Sequence, residues 1–171
     1  MTNLARLLLL AATLSLAACG FHMRGSLASD YTFAFKSLYL KAPRETSFVA
    51  QLRRQIKAYK IPIATSPDQA DVILEVVSEQ PSKQILSLNS LGRVQEYQLF
   101  YRVSIRAYDN NQVDWLPADK IILSRILPYD DTQILADMQQ ETMLNADMIK
   151  DAVSQAVRRL YKAKPSAPIE Q

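Results

Sequence analysis

Cysteine and histidine carry most of the metal and nucleophile chemistry of proteins, and this chain has one of each. Both stand in Leu16-Ala17-Ala18-Cys19-Gly20-Phe21-His22-Met23-Arg24-Gly25. One thiol and one imidazole do not make a metal centre, which needs three or four ligands at defined spacing. A hydrolytic triad needs a histidine between a nucleophile and an acid, and no serine, aspartate or glutamate stands in a recognisable relation to His22. The chain has only three glycines, so Gly-rich phosphate loops are missing. We therefore expect no catalytic residue, no metal and no cofactor. Packing or hydrogen bonding is the expected role of His22.

The residues before Cys19 suggest a different chemistry, processing. Arg6 is followed by an apolar run from Leu7 to Leu16 and then by the small residues Ala17 and Ala18. A basic start, a short apolar run and a small-residue end make a secretory signal peptide. The run is too short to span a bilayer, which takes about 20 apolar residues. Leu16-Ala17-Ala18-Cys19 resembles the lipobox of bacterial lipoproteins. That resemblance implies cleavage before Cys19, a diacylglyceryl group on its thiol and acylation of its new amine. Each buried CH₂ contributes about 0.8 kcal/mol, and a single chain holds only marginally; three chains would make a lasting anchor. The thiol would be consumed, leaving none for a disulfide. Gly20 rather than aspartate after the cysteine implies the outer membrane, on its periplasmic side.

Residues 1–18 are thus read as the signal peptide, 19–35 as the lipidated N-terminus and tether, 36–161 as one domain and 162–171 as a disordered tail. Apolar residues make up 49% of the chain, enough for a core. The net charge of +3 falls to +2 when Arg6 leaves with the signal, too mild an excess to argue for nucleic acid.

The elements that must position any site follow from periodicity. Ser37–Lys41 alternates as a strand. Phe48, Leu52, Ile56 and Tyr59 form one helical stripe behind a Thr46 or Ser47 cap. Asp71–Val77 is rich in β-branched residues and reads as a strand, bent or held at an edge by Pro81 and resuming at Lys83–Leu88. Asn89–Arg93 is a hairpin loop. Tyr97, Leu99, Tyr101, Val103, Ile105 and Ala107 then alternate with Glu96, Gln98, Arg102, Ser104 and Arg106, a strand with one apolar and one polar face. Asp109–Gln112 is a second turn, and Lys120–Leu127 a fourth strand. Asp130 with Gln133 resembles a capping box before a long helix whose face is Ile134, Met138, Thr142, Asn145, Ile149, Val153, Ala156 and Leu160. At about 42 Å that helix would be twice as long as a six-residue strand, so one end would overhang the sheet. The order β-α-β-β-β-α predicts an α/β two-layer sandwich: a four-stranded mixed sheet, two helices on one face, and a polar face bearing Glu96, Arg102 and Arg106.

A lipobox, Cys19-Gly20-Phe21-His22-Met23-Arg24-Gly25, the order β-α-β-β-β-α and Glu96-Tyr97-Gln98 after the first hairpin together resemble the LptE family of lipopolysaccharide (LPS)-assembly lipoproteins. The resemblance implies no catalysis. It implies a partner, the outer-membrane β-barrel LptD, whose lumen the family plugs and whose assembly it aids, and a second, LPS itself. Aligned on Glu96-Tyr97-Gln98, the hairpin arginine that the family links to LPS falls on Ser90, with Arg93 three residues on. The family's lysine early in the last helix falls on Ala136 or Asp137. Arg93 and Ser90 are therefore the expected LPS contacts. The alternative is a lipid-anchored periplasmic carrier of lipid or lipoprotein, which would need an enclosed apolar cavity.

Overall fold

A computed structural model describes residues 32–166. Cys19, His22 and the signal segment lie outside the described residues. The elements run β1 (Leu38–Lys41), α1 (Ser47–Ala58), β2 (Val72–Leu88), β3 (Val94–Tyr108), β4 (Asp114–Pro128) and α2 (Ile134–Lys162), with a short 3₁₀ turn at Pro67–Gln69. They build one mixed sheet in the order β1-β2-β3-β4. β1 and β2 are parallel, as a helical crossover between them requires. The other two pairs are antiparallel.

Local chemistry sets each element. Thr46 is the cap of α1, its hydroxyl oxygen accepting from the Val49 N–H. Phe48, Leu52 and Ile56 of the expected stripe are then buried, joined by Val49, while Tyr59 caps the helix half-buried. On β3 the apolar alternation is also as expected: Leu99, Tyr101, Val103, Ile105 and Ala107 are buried under the helices. They meet Leu38, Leu74, Val76, Ile121 and Leu127 of the sheet and Met148, Ala152, Ala156 and Leu160 of α2 in one core.

Two expectations are corrected and one is sharpened. First, β2, expected as one strand interrupted at Pro81 and resuming at Lys83, is continuous over 17 residues. β1 pairs with it only as far as Glu75, so Pro81 stands in a half that β1 leaves uncovered. A proline is tolerated there because the ladder to β3 continues around it and an edge asks for no second partner. The extra twist enters instead at irregularities between Val76 and Ser78 and between Ile85 and Ser87. Second, β4 begins at Asp114, six residues early, because β3 supplies the pairing for a stretch that carries Pro117 and no alternation of its own. Third, Asp130 does not cap α2. The helix starts at Ile134 with Gln133 as an N-cap whose side chain caps no helix N–H, and Asp130 closes a turn ahead of it.

The strands are thus far longer than the six residues assumed. β2 extends for about 56 Å and α2 for about 44 Å, so α2 lies along the sheet. Its stripe also differs. Ile134 and Met138 are exposed, whereas Met148, off the expected stripe, is fully buried. Only from Met148 onward does α2 bury side chains completely. At the two ends, Phe35 is already part of the core, and Ser166 donates its N–H and its hydroxyl to the Asp114 carbonyl.

Candidate functional site

β2, β3, β4 and α2 run past the short β1, and two loops close their far end. The first is Asn89–Arg93. The Asn89 side-chain oxygen accepts from the N–H groups of Leu91 and Arg93 at 2.9 and 3.0 Å, while Gly92 takes φ +75° to let the chain turn. This pins the backbone from which Arg93 projects. The second loop joins β4 to α2. The Tyr129 N–H donates to the Gln95 carbonyl, extending the ladder past Pro128, and the Tyr129 ring meets Tyr97 edge-on at 5.2 Å.

Asp130 then organises the loop. Its Oδ1 accepts from the Thr132 N–H at 2.9 Å and from the Thr132 hydroxyl at 2.7 Å, and its Oδ2 accepts from the Gln133 amide. Those donors, the Thr132 amide foremost, hold its carboxyl below the usual carboxylate range. Its own N–H donates to Asp137 Oδ2 at 3.0 Å. The result is a preformed cleft of about 560 Å³ between the loops, lined by Asn89, Leu91, Arg93, Tyr97, Tyr129 and Asp131 among others.

Arg93 crosses this cleft. Its Nη1 lies 3.1 Å from Asp131 Oδ2, with both side chains more than half exposed. Ser90 is exposed at the apex of the hairpin. Ala136 and Asp137, where the family's lysine aligns, bring no cation; Asp137 is spent on the Asp130 N–H. A second cation does approach the tip, from β2. Lys83 Nζ is 4.2 Å from the centre of the Tyr97 ring and 2.6 Å from Glu141 Oε2 of α2. Sequence reasoning missed Lys83 and Asp131, because both pairings cross elements distant in the chain. Around these polar groups the same end exposes Ile85, Leu88, Leu91, Ile134, Leu135 and Met138. Apolar side chains grouped in this way mark a surface that another molecule covers.

The sheet face away from the helices is the other feature with functional bearing. Arg102 donates to Ser82 Oγ at 2.8 Å and lies 4.3 Å over the Phe100 ring. Arg106 pairs with Asp114 at 2.7 Å over the Tyr108 ring. Lys41, Glu75 and Tyr108 join in a third cluster, Lys41 to Glu75 at 3.0 Å and the Tyr108 hydroxyl donating to Glu75 at 3.1 Å. Polar groups alternate with rings, and Ile122 and Ile126 stand exposed beside them. Among the described residues no helix is long and apolar enough to cross a membrane.

Comparison with known proteins decides the family. Residues 35–160 match the family model described as LptE, lipopolysaccharide-assembly. The chain belongs to the LptE family. A solution NMR structure of an uncharacterized lipoprotein B from Nitrosomonas europaea is 35% identical, with a TM-score of 0.69 over 81% of this chain and 88% of its own. The rare lipoprotein B from Shewanella oneidensis (20% identity, TM-score 0.64, 71% and 91% covered) and a minor lipoprotein from Acinetobacter baumannii (22%, 0.65, 80% and 100%) share the fold. No curated protein matches the chain by sequence. The LptE assignment makes the chain an LPS-assembly lipoprotein of the outer membrane.

Proposed function

We propose that an acylated Cys19 holds this protein in the outer membrane on the periplasmic side, and that its domain plugs and helps assemble the LptD barrel. In that position it supports insertion of LPS into the outer leaflet, with LPS contacted directly at the tip around Arg93 and Ser90. The observation that carries the plug reading is the polar sheet face, over which no described helix lies. A water-lined barrel lumen is polar, and a partner for it must offer hydrogen-bonding groups. Arg106 and Lys41, paired with Asp114 and Glu75, and Arg102, held by the Ser82 hydroxyl, supply them on one face. The LPS reading is supported by a guanidinium on a pinned loop, since an arginine fork matches phosphate oxygens, and by the apolar residues around it.

A carrier would need an enclosed apolar chamber. The cleft at the tip is instead open, with Arg93, Asp130 and Asp131 in its lining beside Leu91, Val94 and two tyrosines. The test is affinity purification from detergent-solubilised outer membranes. Equal amounts of a barrel partner are expected. Recovery with lipid and without a barrel would overturn the plug and favour the carrier.

A further inference from the structure

The seven ion pairs among the described residues engage Lys41, Arg53, Lys83, Arg93, Arg106, Arg125 and Arg159. Five exposed cations outside those pairs gather elsewhere, where both helices end. Lys57 and Lys60 close α1; Arg158, Lys162 and Lys164 close α2 and its exit. One ring brings the two ends together: Phe33 meets Tyr59, the last-turn cap of α1, at 5.8 Å and Tyr161 of α2 at 5.7 Å. Phe33 is also where the chain coming from Cys19 enters the fold. We propose that this end of the domain docks on the anionic phospholipid headgroups of the membrane that holds the anchor. The proposal rests on the reading of Cys19 as acylated.

Several observations favour a bilayer as the occupant. Thr32 is thirteen residues beyond Cys19, so even a fully extended connection spans no more than about 47 Å. The lipid surface is therefore always within reach of this end. Arg158 and Lys162 stand one turn apart on α2 and, with Arg159 and Gln155, line a shallow depression. Guanidinium and ammonium groups so placed bind phosphate oxygens. Tyr161, 37% exposed among these cations, is the amphipathic ring type that settles at a headgroup layer. Complementing the helix dipole accounts for about one cation per helix, fewer than the five present. The carboxylates at this end lie on the sheet side and are occupied. Asp71 accepts from the Lys36 and Ser37 N–H groups, Asp109 from those of Asn111 and Val113, and Asp119 and Asp114 are paired with Arg159 and Arg106. Asp68 on the 3₁₀ turn, Asp71 and Asp109 keep their negative charge there, three against the five cations.

The test uses the chain from Gly20 onward, which keeps every residue of the core but has no acylation site, sedimented with vesicles. Binding is expected to phosphatidylcholine vesicles that contain phosphatidylglycerol, not to pure phosphatidylcholine, and is expected to fall with added salt. A cation at an anionic surface is worth roughly fivefold in partitioning. Combining Lys57→Glu, Lys60→Glu, Arg158→Glu and Lys162→Glu should therefore lower binding more than a hundredfold, with the circular dichroism spectrum unchanged. Equal binding to both vesicles, no binding, or binding untouched by the four substitutions would overturn the proposal. So would loss of barrel copurification by the variant without any vesicle binding by the parent, which would assign the surface to a protein. The probe lacks Cys19, so the result is independent of acylation, which mass spectrometry of the intact chain reads separately.

Discussion

Replacing Asp131 by Asn should tighten LPS binding, although it removes a bond from the site. Arg93 Nη1 and Asp131 Oδ2 are 3.1 Å apart, and their side chains are 66% and 51% exposed. A phosphate can take the guanidinium only by displacing this carboxylate. An exposed pair of this kind contributes about 0.2–1 kcal/mol, so releasing Arg93 in advance should raise affinity by a factor of about 1.4 to 5. Arg93→Glu acts in the opposite direction. It removes a charge-assisted hydrogen bond, a contribution of about 1.5–3 kcal/mol, and sets a carboxylate against Asp131. Affinity should fall by roughly tenfold to a hundredfold. Neither change touches the core, so the urea midpoint should move by no more than about 1 kcal/mol in equivalent stability. Titration calorimetry of the purified protein with LPS reads both variants. Unchanged affinity in both would remove Arg93 from the site. Weaker binding by Asp131→Asn would show that the intact pair, not the freed guanidinium, shapes the contact.

Three further outcomes are expected. Glu79 accepts from the Tyr101 hydroxyl and from the Thr46 hydroxyl, both at 2.7 Å, tying the start of α1 to β2 and β3; Glu79→Ala strands the hydroxyl of buried Tyr101 and should cost about 2–4 kcal/mol in urea unfolding. Burial first, and the bond to Glu79 second, push the Tyr101 pKa well above its ordinary value, so Tyr101→Phe should cost markedly less in the Glu79→Ala background than in the parent; equal costs would deny the coupling. Cys19→Ala should abolish the lipid mass and release the protein from membranes in a high-salt wash, and attachment persisting without a barrel partner would contradict the anchor. The Asp130 carboxyl is held below its ordinary value of 3.8. Its contribution is therefore complete above the unfolded value and is lost as pH falls through the lower folded one. Protection of the Thr132 amide, measured against its intrinsic exchange rate at each pH, should fall only in that acid range, and Asp130→Asn should remove the transition.

How far the sequence reached depended on the range of the interaction. Period-two alternation from Tyr97 to Ala107 and the stripe Phe48–Leu52–Ile56 are local statements about which side chains face a core, and both hold in the fold. The turns at Asn89–Arg93 and Asp109–Gln112 are equally local, since asparagine and aspartate side chains close them over four residues. Element order, the parallel first pair and the mixed sheet followed from these. The stripe of α2 failed where packing is sparse. From Ile134 to Asn145 no side chain is fully buried, so the core does not fix the pattern there.

The amino acids by themselves determined the class of fold, the lipobox reading and the turn that presents Arg93, because each rests on neighbours within a few residues. Only the tertiary structure decided that β2 continues through Pro81, that Lys83 and Asp131 join the tip, and that Phe33 meets a ring at the end of each helix. Those results depend on pairings between residues 20 to 128 positions apart along the chain, as in Pro81 with Tyr101, Arg93 with Asp131, Lys83 with Glu141 and Phe33 with Tyr161. No local pattern encodes a partner at such a distance; it is the shared sheet and its register that bring the groups together.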